Sequence, residues 1–235
     1  MIWKLYNDWP WPAFSNGQNP ARWTAALLPP HRTYVEVCGG TALMAKPLGA
    51  VEVFNDFHGY AHTLFTVLRD PAQRRALLEA VEPMTAIIPM ALIPLDAAQP
   101  QDPVEVARRF YFACRQSWTP DCSIRWLSRR RDGRVFTDAA NVFNPVVERF
   151  HYAQMEDLPP AEIMTRYDSP RTCFVVDVAM LAPAAVAPVL ATLGAIKGKA
   201  LVLGTAATLV PEDWNVIAHG PQIAWANYTL QKRAA

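Results

Sequence analysis

An excess of charge is the first thing missing. Lys and Arg number 22 against 21 Asp and Glu, a net +1 over 235 residues. The chain as a whole therefore announces neither a nucleic-acid nor a membrane partner. Paired-cysteine patterns are missing too. Cys38, Cys114, Cys122 and Cys173 lie far apart, without Cys-x-x-Cys or His-x-Cys spacing. That argues against a zinc site and a disulfide framework, and for reduced thiols in a cytoplasmic protein. The histidines at 31, 58, 62, 151 and 219 share no ligand spacing, so no metal is expected. The opening stretch MIWKLYNDWPWPAF lacks the apolar region of a signal peptide. One long uncharged run exists, VAMLAPAAVAPVLATLGAI at 178–196. It is Ala-rich, is broken by Pro183, Pro188 and Gly194, and follows a strand-like segment. It reads as a strand-to-helix connection rather than a membrane span.

What is present points to an α/β protein. A hydrophobic content of 51%, with 11% aromatic residues, can bury a core. RTYVEVCGGTALMA (32–45) reads as a strand, a Gly-Gly turn and a helix start. AVEVFND (50–56) is a second strand closed by Asp56, and Ala61, Leu64, Phe65 and Leu68 follow at helical spacing. A strand, a Gly turn, a helix, a second strand and an acid make the opening of a nucleotide-binding fold. By itself that pattern is weak.

The middle differs in kind. Val104, Ala107, Tyr111, Cys114 and Trp118 form one helical stripe. From Arg108 to Arg134 there are eight arginines against Asp121 and Asp132. Phosphate contact and a solvated helical face account for such a cluster equally well. Asn144 and Pro145 predict a helix start, and Arg166 and Asp168 a pair at a strand entry. TCFVVD (172–177) and the segment around KALVLG predict two more buried strands.

Six segments then fall in one order: LLPPHRTYVEVCGGTAL, VEVFNDFHGYAHTLFTVLRD, FYFACRQSW, RYDSPRTCFVVD, IKGKALVLG and IAWANY. In these the chain resembles the Dam-like DNA adenine-N6 methyltransferases. The resemblance implies a Rossmann-like, S-adenosylmethionine-dependent methyltransferase sheet from 1–69 and 159–235. An inserted helical, Arg-rich DNA-recognition domain would occupy 70–158. It implies cofactor contacts at Gly17, Glu36, Gly39, Gly40 and Asp56, and catalytic positions at Asp177 and Val178. DNA contacts would come from Arg108, Arg115, Arg125, Arg129, Arg130, Arg131 and Arg134.

The departures shape the functional expectation. Cys38, Gly40 and Ala42 stand where the family has Phe-x-Gly-x-Gly, and Gln18 where it has a lysine. The catalytic Asp-Pro-Pro-Tyr is here Asp177-Val178-Ala179-Met180. Without the prolines the turn is not stiffened in advance. Without the tyrosine, stacking worth roughly 1–3 kcal/mol per base is lost. Asp177 is then vestigial, and the expectation is a pseudoenzyme with weak or lost S-adenosylmethionine binding. It would be the non-catalytic DNA-binding or regulatory subunit of a hetero-oligomer with an active methyltransferase paralogue. Trp3, Trp9 and Trp11 suit a partner surface or packing on their own domain. Two alternatives stand beside this: an active adenine-N6 methyltransferase with a divergent motif, and a scaffold or inhibitory protein with no DNA role.

Overall fold

The structure, a computed structural model, describes residues 20–39, 43, 49, 51–81, 102–116, 139–178, 181, 183–204, 211, 213–219 and 222–230. They fall into two compact units, one from 20–57 with 153–230 and one from 58–152.

The first unit is a sheet. Helix α1 (Pro20–Leu27) precedes β1 (Thr33–Glu36) and β2 (Val51–Asn55). After the chain returns come β3 (Gln154–Glu156), the short helix Pro160–Tyr167 and β4 (Thr172–Asp177). The helix Pro183–Leu193, β5 (Lys199–Gly204), β6 (Asn215–His219) and β7 (Gln222–Ala226) complete it. The strand order is β3-β2-β1-β4-β5-β7-β6. The first five strands are parallel, and β7 runs antiparallel between β5 and β6. This is the Rossmann-like, methyltransferase-type sheet that the sequence predicted.

The parallel strands are apolar runs because both faces are covered. Val35, Val37, Val53, Phe174, Val176, Ala200 and Val202 build one face with Ile163 and Met164, and with Val189 and Leu193. Tyr34, Phe54, Cys173, Val175 and Leu201 alternate with them and are also buried. The uncharged run at 178–196 resolves into a turn at Val178 and the helix from Pro183. Among the described residues no helix is long and apolar enough to cross a membrane.

The entry to β4 departs from the sequence reading. Arg166 pairs with Glu162 at 3.2 Å and Glu156 at 3.5 Å. Asp168 instead accepts backbone N–H bonds from Lys197 (2.9 Å) and Gly198 (2.9 Å), holding the approach to β5. A carboxylate that can satisfy two backbone donors outcompetes an exposed ion pair.

The second unit is helical: α2 (Tyr60–Arg69), α3 (Pro71–Val81), α4 (Pro103–Gln116) and α5 (Ala139–Phe150). The helices that follow in the sheet unit are α6 (Pro160–Tyr167) and α7 (Pro183–Leu193). Both α3 and α4 start on Asp-Pro. The Asp70 carboxylate accepts from the Ala72 and Gln73 N–H groups at 2.9 and 2.8 Å, and Asp102 from Val104 at 3.0 Å. The proline in each takes the first helical position, where no N–H is needed. Phe65 stacks on Phe150 with centroids 4.2 Å apart, and Arg69 donates to the Phe150 carbonyl. Because α2 packs on α4 and α5, this unit begins at 58 rather than 70. Because β3 joins the sheet, it ends at 152 rather than 158.

Helix α5 also corrects the expected start at Asn144. It begins at Ala139, with Pro145 inside. Ala139, Phe143, Val146 and Phe150 are all buried at spacings of four, three and four. That apolar stripe outweighs the one helical hydrogen bond the proline forgoes.

Candidate functional site

In an open parallel sheet, ligands bind beyond the carboxyl ends of the strands where the strand order reverses. Here the reversal lies between β1 and β4. Glu36, Cys38 and Gly39 leave β1 there, Asp56 leaves β2, and Asp177 with Val178 ends β4. The sequence-predicted residues Glu36, Gly39, Asp56, Asp177 and Val178 are thus brought to one sheet end. Gly17 and Gly40 lie outside the described residues, as do Ala179 and Met180.

Each of these residues has its own setting. Gly39 is left-handed, with φ 66°. A Cβ there would stand 3.6 Å from the Asn55 carbonyl and 3.8 Å from the Asp56 Cβ. The bare backbone of the turn therefore lies against the end of β2, beside a carboxylate that is 8% exposed. That pairing suits the sugar hydroxyls of an adenosine-bearing cofactor such as S-adenosylmethionine, because a carboxylate accepts from both hydroxyls while glycine leaves room for close approach.

Glu36 has a different job. It is 2% exposed, and its Oε2 accepts from the Tyr34 hydroxyl at 3.1 Å and the Leu43 N–H at 2.9 Å. Its carboxylate holds the chain that follows β1 back against the strand. Cys38 sits close to Asp177. Burial pushes its thiol well above the ordinary value, the Asp177 and Glu36 carboxylates add to this, and a hydrogen bond with the Asp177 backbone opposes it. That shift favours the neutral thiol over the nucleophilic thiolate. Asp177 is partly buried. The Val178 carbonyl accepts from the Leu181 N–H at 3.1 Å, closing a tight turn directly after the strand.

Sequence reasoning missed Asn55. It is fully buried, and its Nδ2 donates to the Val37 carbonyl at 2.8 Å and the Leu158 carbonyl at 2.9 Å. Its Oδ1 accepts from the Leu158 N–H at 2.9 Å. The only local signal is a polar residue at the end of an apolar run, and Asp56 beside it drew the attention.

The arginine cluster is described at one end only. Arg108 grips Glu105 through Nε at 2.6 Å and Nη2 at 2.7 Å, and its side chain is 11% exposed. Arg109 reaches the same carboxylate at 2.9 Å. Counting from Arg108 left out the acid three residues earlier, which offsets one of the two positive charges at this end of the cluster. Arg115 lies on α4 in the last turn. Arg125, Arg129, Arg130, Arg131 and Arg134 lie outside the described residues.

Hydrogen bonds from Arg108, with those from Arg109, hold the Glu105 carboxyl below its ordinary value. Its contribution to stability is complete above the ordinary carboxyl value and is lost as pH falls through the lowered one. Urea midpoints followed from neutral to acid pH should therefore fall less steeply for Glu105→Gln than for the unaltered protein. Parallel curves would show that the pair contributes nothing.

No protein-family model and no curated protein matches the chain. Among solved structures it is similar to the rRNA methyltransferase aviRa from Streptomyces viridochromogenes, at 11% identity over 88% of this chain and 81% of that one, with a TM-score of 0.36. A likeness that slight bears no weight. The strand order, with the antiparallel β7 between β5 and β6, defines a methyltransferase-like Rossmann fold without it.

Proposed function

We propose that the chain is a non-catalytic relative of the Dam-like DNA adenine-N6 methyltransferases. It binds DNA through its arginine-rich segment, holds S-adenosylmethionine weakly at Gly39 and Asp56, and works beside an active methyltransferase paralogue. The observation that carries this reading is the end of β4. Asp177 stands where the catalytic acid belongs, but the next carbonyl already accepts from Leu181. Val178, Ala179 and Met180 stand where the family has two prolines and a tyrosine. An active site of this kind needs two acceptors aimed at the target amine and an aromatic face for the extruded base. Here the Val178 carbonyl shares its acceptor capacity with the Leu181 N–H, and Met180 stands in place of the aromatic ring.

For the DNA contact, Arg125, Arg129, Arg130, Arg131 and Arg134 with Arg115 are the candidates. Arg108 is set apart by its grip on Glu105. Labelled methyl transfer from S-adenosylmethionine to DNA should stay at background. Transfer that Asp177→Ala abolishes would establish the active alternative. Replacing Arg129, Arg130 and Arg131 together by Ala should weaken DNA binding and reduce its salt slope by roughly 3, about one for each phosphate contact removed. An unaltered protein that neither binds DNA nor changes the rate of a paralogous methyltransferase leaves the scaffold reading standing.

A further inference from the structure

In a parallel sheet, backbone pairing ends with the last residue of the shorter strand. The groups just beyond must find partners elsewhere or stay dry and unsatisfied. At this sheet's carboxyl end, Val37 lies one step past the β1 pair Glu36↔Phe54, and so level with Asn55. The Val37 N–H is met by the Val175 carbonyl at 2.9 Å. Its carbonyl is met by the Asn55 side chain. On the other flank, Asn55 pairs with Leu158 in both directions, as a backbone amide would in a ladder. The Asp56 N–H adds a bond to the Glu156 carbonyl at 2.9 Å. One buried amide therefore carries the pairing of β1, β2 and the β3 exit one residue beyond the strands. Gly39 and Asp56 flank that tie directly.

We propose that Asn55 is a positioning residue for adenosine binding at this end of the sheet. It fixes the Gly39 turn and the Asp56 carboxylate in one geometry before a ligand arrives, acting through them rather than touching the ligand. The inference rests on the reading of Gly39 and Asp56 as the cofactor contacts. It adds that this half of the site is preorganised, although the methyl-transfer half has lost its residues. A buried polar network of this kind is rigid only when every member is satisfied. Here all four groups in contact (the amide, the Val37 carbonyl and both Leu158 groups) are paired.

Titration of S-adenosylmethionine, and separately of S-adenosylhomocysteine, into the full chain tests it. Asp168→Ala serves as the control, because Asp168 also bonds backbone N–H groups of the sheet unit but at the approach to β5. The expected result is that Asn55→Ser weakens both ligands about ten-fold or more, while Asp168→Ala lowers the melting temperature yet keeps the affinity. Equal affinity for Asn55→Ser and the unaltered protein overturns the inference and leaves the cofactor reading intact. No binding by the unaltered protein overturns both. Should Asn55→Ser fail to fold, hydrogen exchange in the unaltered protein decides. The Leu158 amide, the one bonded to Asn55 Oδ1, should already be protected without ligand, and fast exchange there that only ligand slows overturns the inference.

Discussion

Glu36→Ala is expected to lose about 3 kcal/mol of stability, since each buried donor left without an acceptor costs about 1–3 kcal/mol. Two donors depend on this carboxylate, the Tyr34 hydroxyl and the Leu43 N–H, and both parent residues are fully buried. Urea unfolding of Glu36→Ala and Glu36→Gln measures the effect. Glu36→Gln keeps a carbonyl oxygen facing both donors and should lose less than half as much. Glu36→Gln set beside Asp56→Asn separates two roles for an acid that the family resemblance assigned to the cofactor. Glu36→Gln should keep whatever affinity the unaltered protein has for S-adenosylmethionine, whereas Asp56→Asn should reduce it. The reverse pattern would move the ligand contact from Asp56 to Glu36.

The second large effect concerns a glycine with no left-handed backbone. A Cβ on Gly198 would stand 3.0 Å from Phe174 Cε2, the Ser169 carbonyl and the Thr172 carbonyl. A ring edge can swing aside, but the two carbonyls belong to a turn that is held on several sides. Thr172 donates through its N–H to Ser169 at 3.0 Å and through Oγ1 to the Tyr167 carbonyl at 2.7 Å. The Gly198 N–H is itself bonded to Asp168. Gly198→Ala should therefore cost about 1–3 kcal/mol by overpacking, visible as a melting temperature several degrees lower. Gly194→Ala is the control: its Cβ would meet only the Ala191 carbonyl at 3.5 Å, an ordinary contact. A melting temperature for Gly198→Ala equal to that of Gly194→Ala would show that the 169–172 turn yields.

Much of the sheet was legible because parallel strands covered on both faces are written as apolar runs. TYVE, VEVF, CFVV and ALVL declare themselves one by one. Helix α2 was legible from the spacing of Ala61, Leu64, Phe65 and Leu68, all buried. The start of α5 was misplaced because an Asn-Pro pair is a strong local signal, and only the packing of Phe143 and Ala139 extends the helix upstream of it. Strand β3, three residues long and partly exposed, has no pattern of its own. It exists because β2 offers it an edge.

The candidate site divides in the same way. By itself the sequence determined that Val178, Ala179 and Met180 follow the acid at the end of β4. No folding can supply an aromatic ring or two prolines that the chain does not encode. It also placed a glycine after the first strand and an acid after the second, since those are properties of neighbours along the chain. Which acids hold the framework was decided by tertiary structure alone. Glu36 turns to Tyr34 and Leu43, and Asp168 to a loop 29 residues away. Asn55 ties Leu158 from 103 positions earlier. Hydrogen bonds between residues that distant leave no period, spacing or composition to read, because their partners become neighbours only once the sheet has formed.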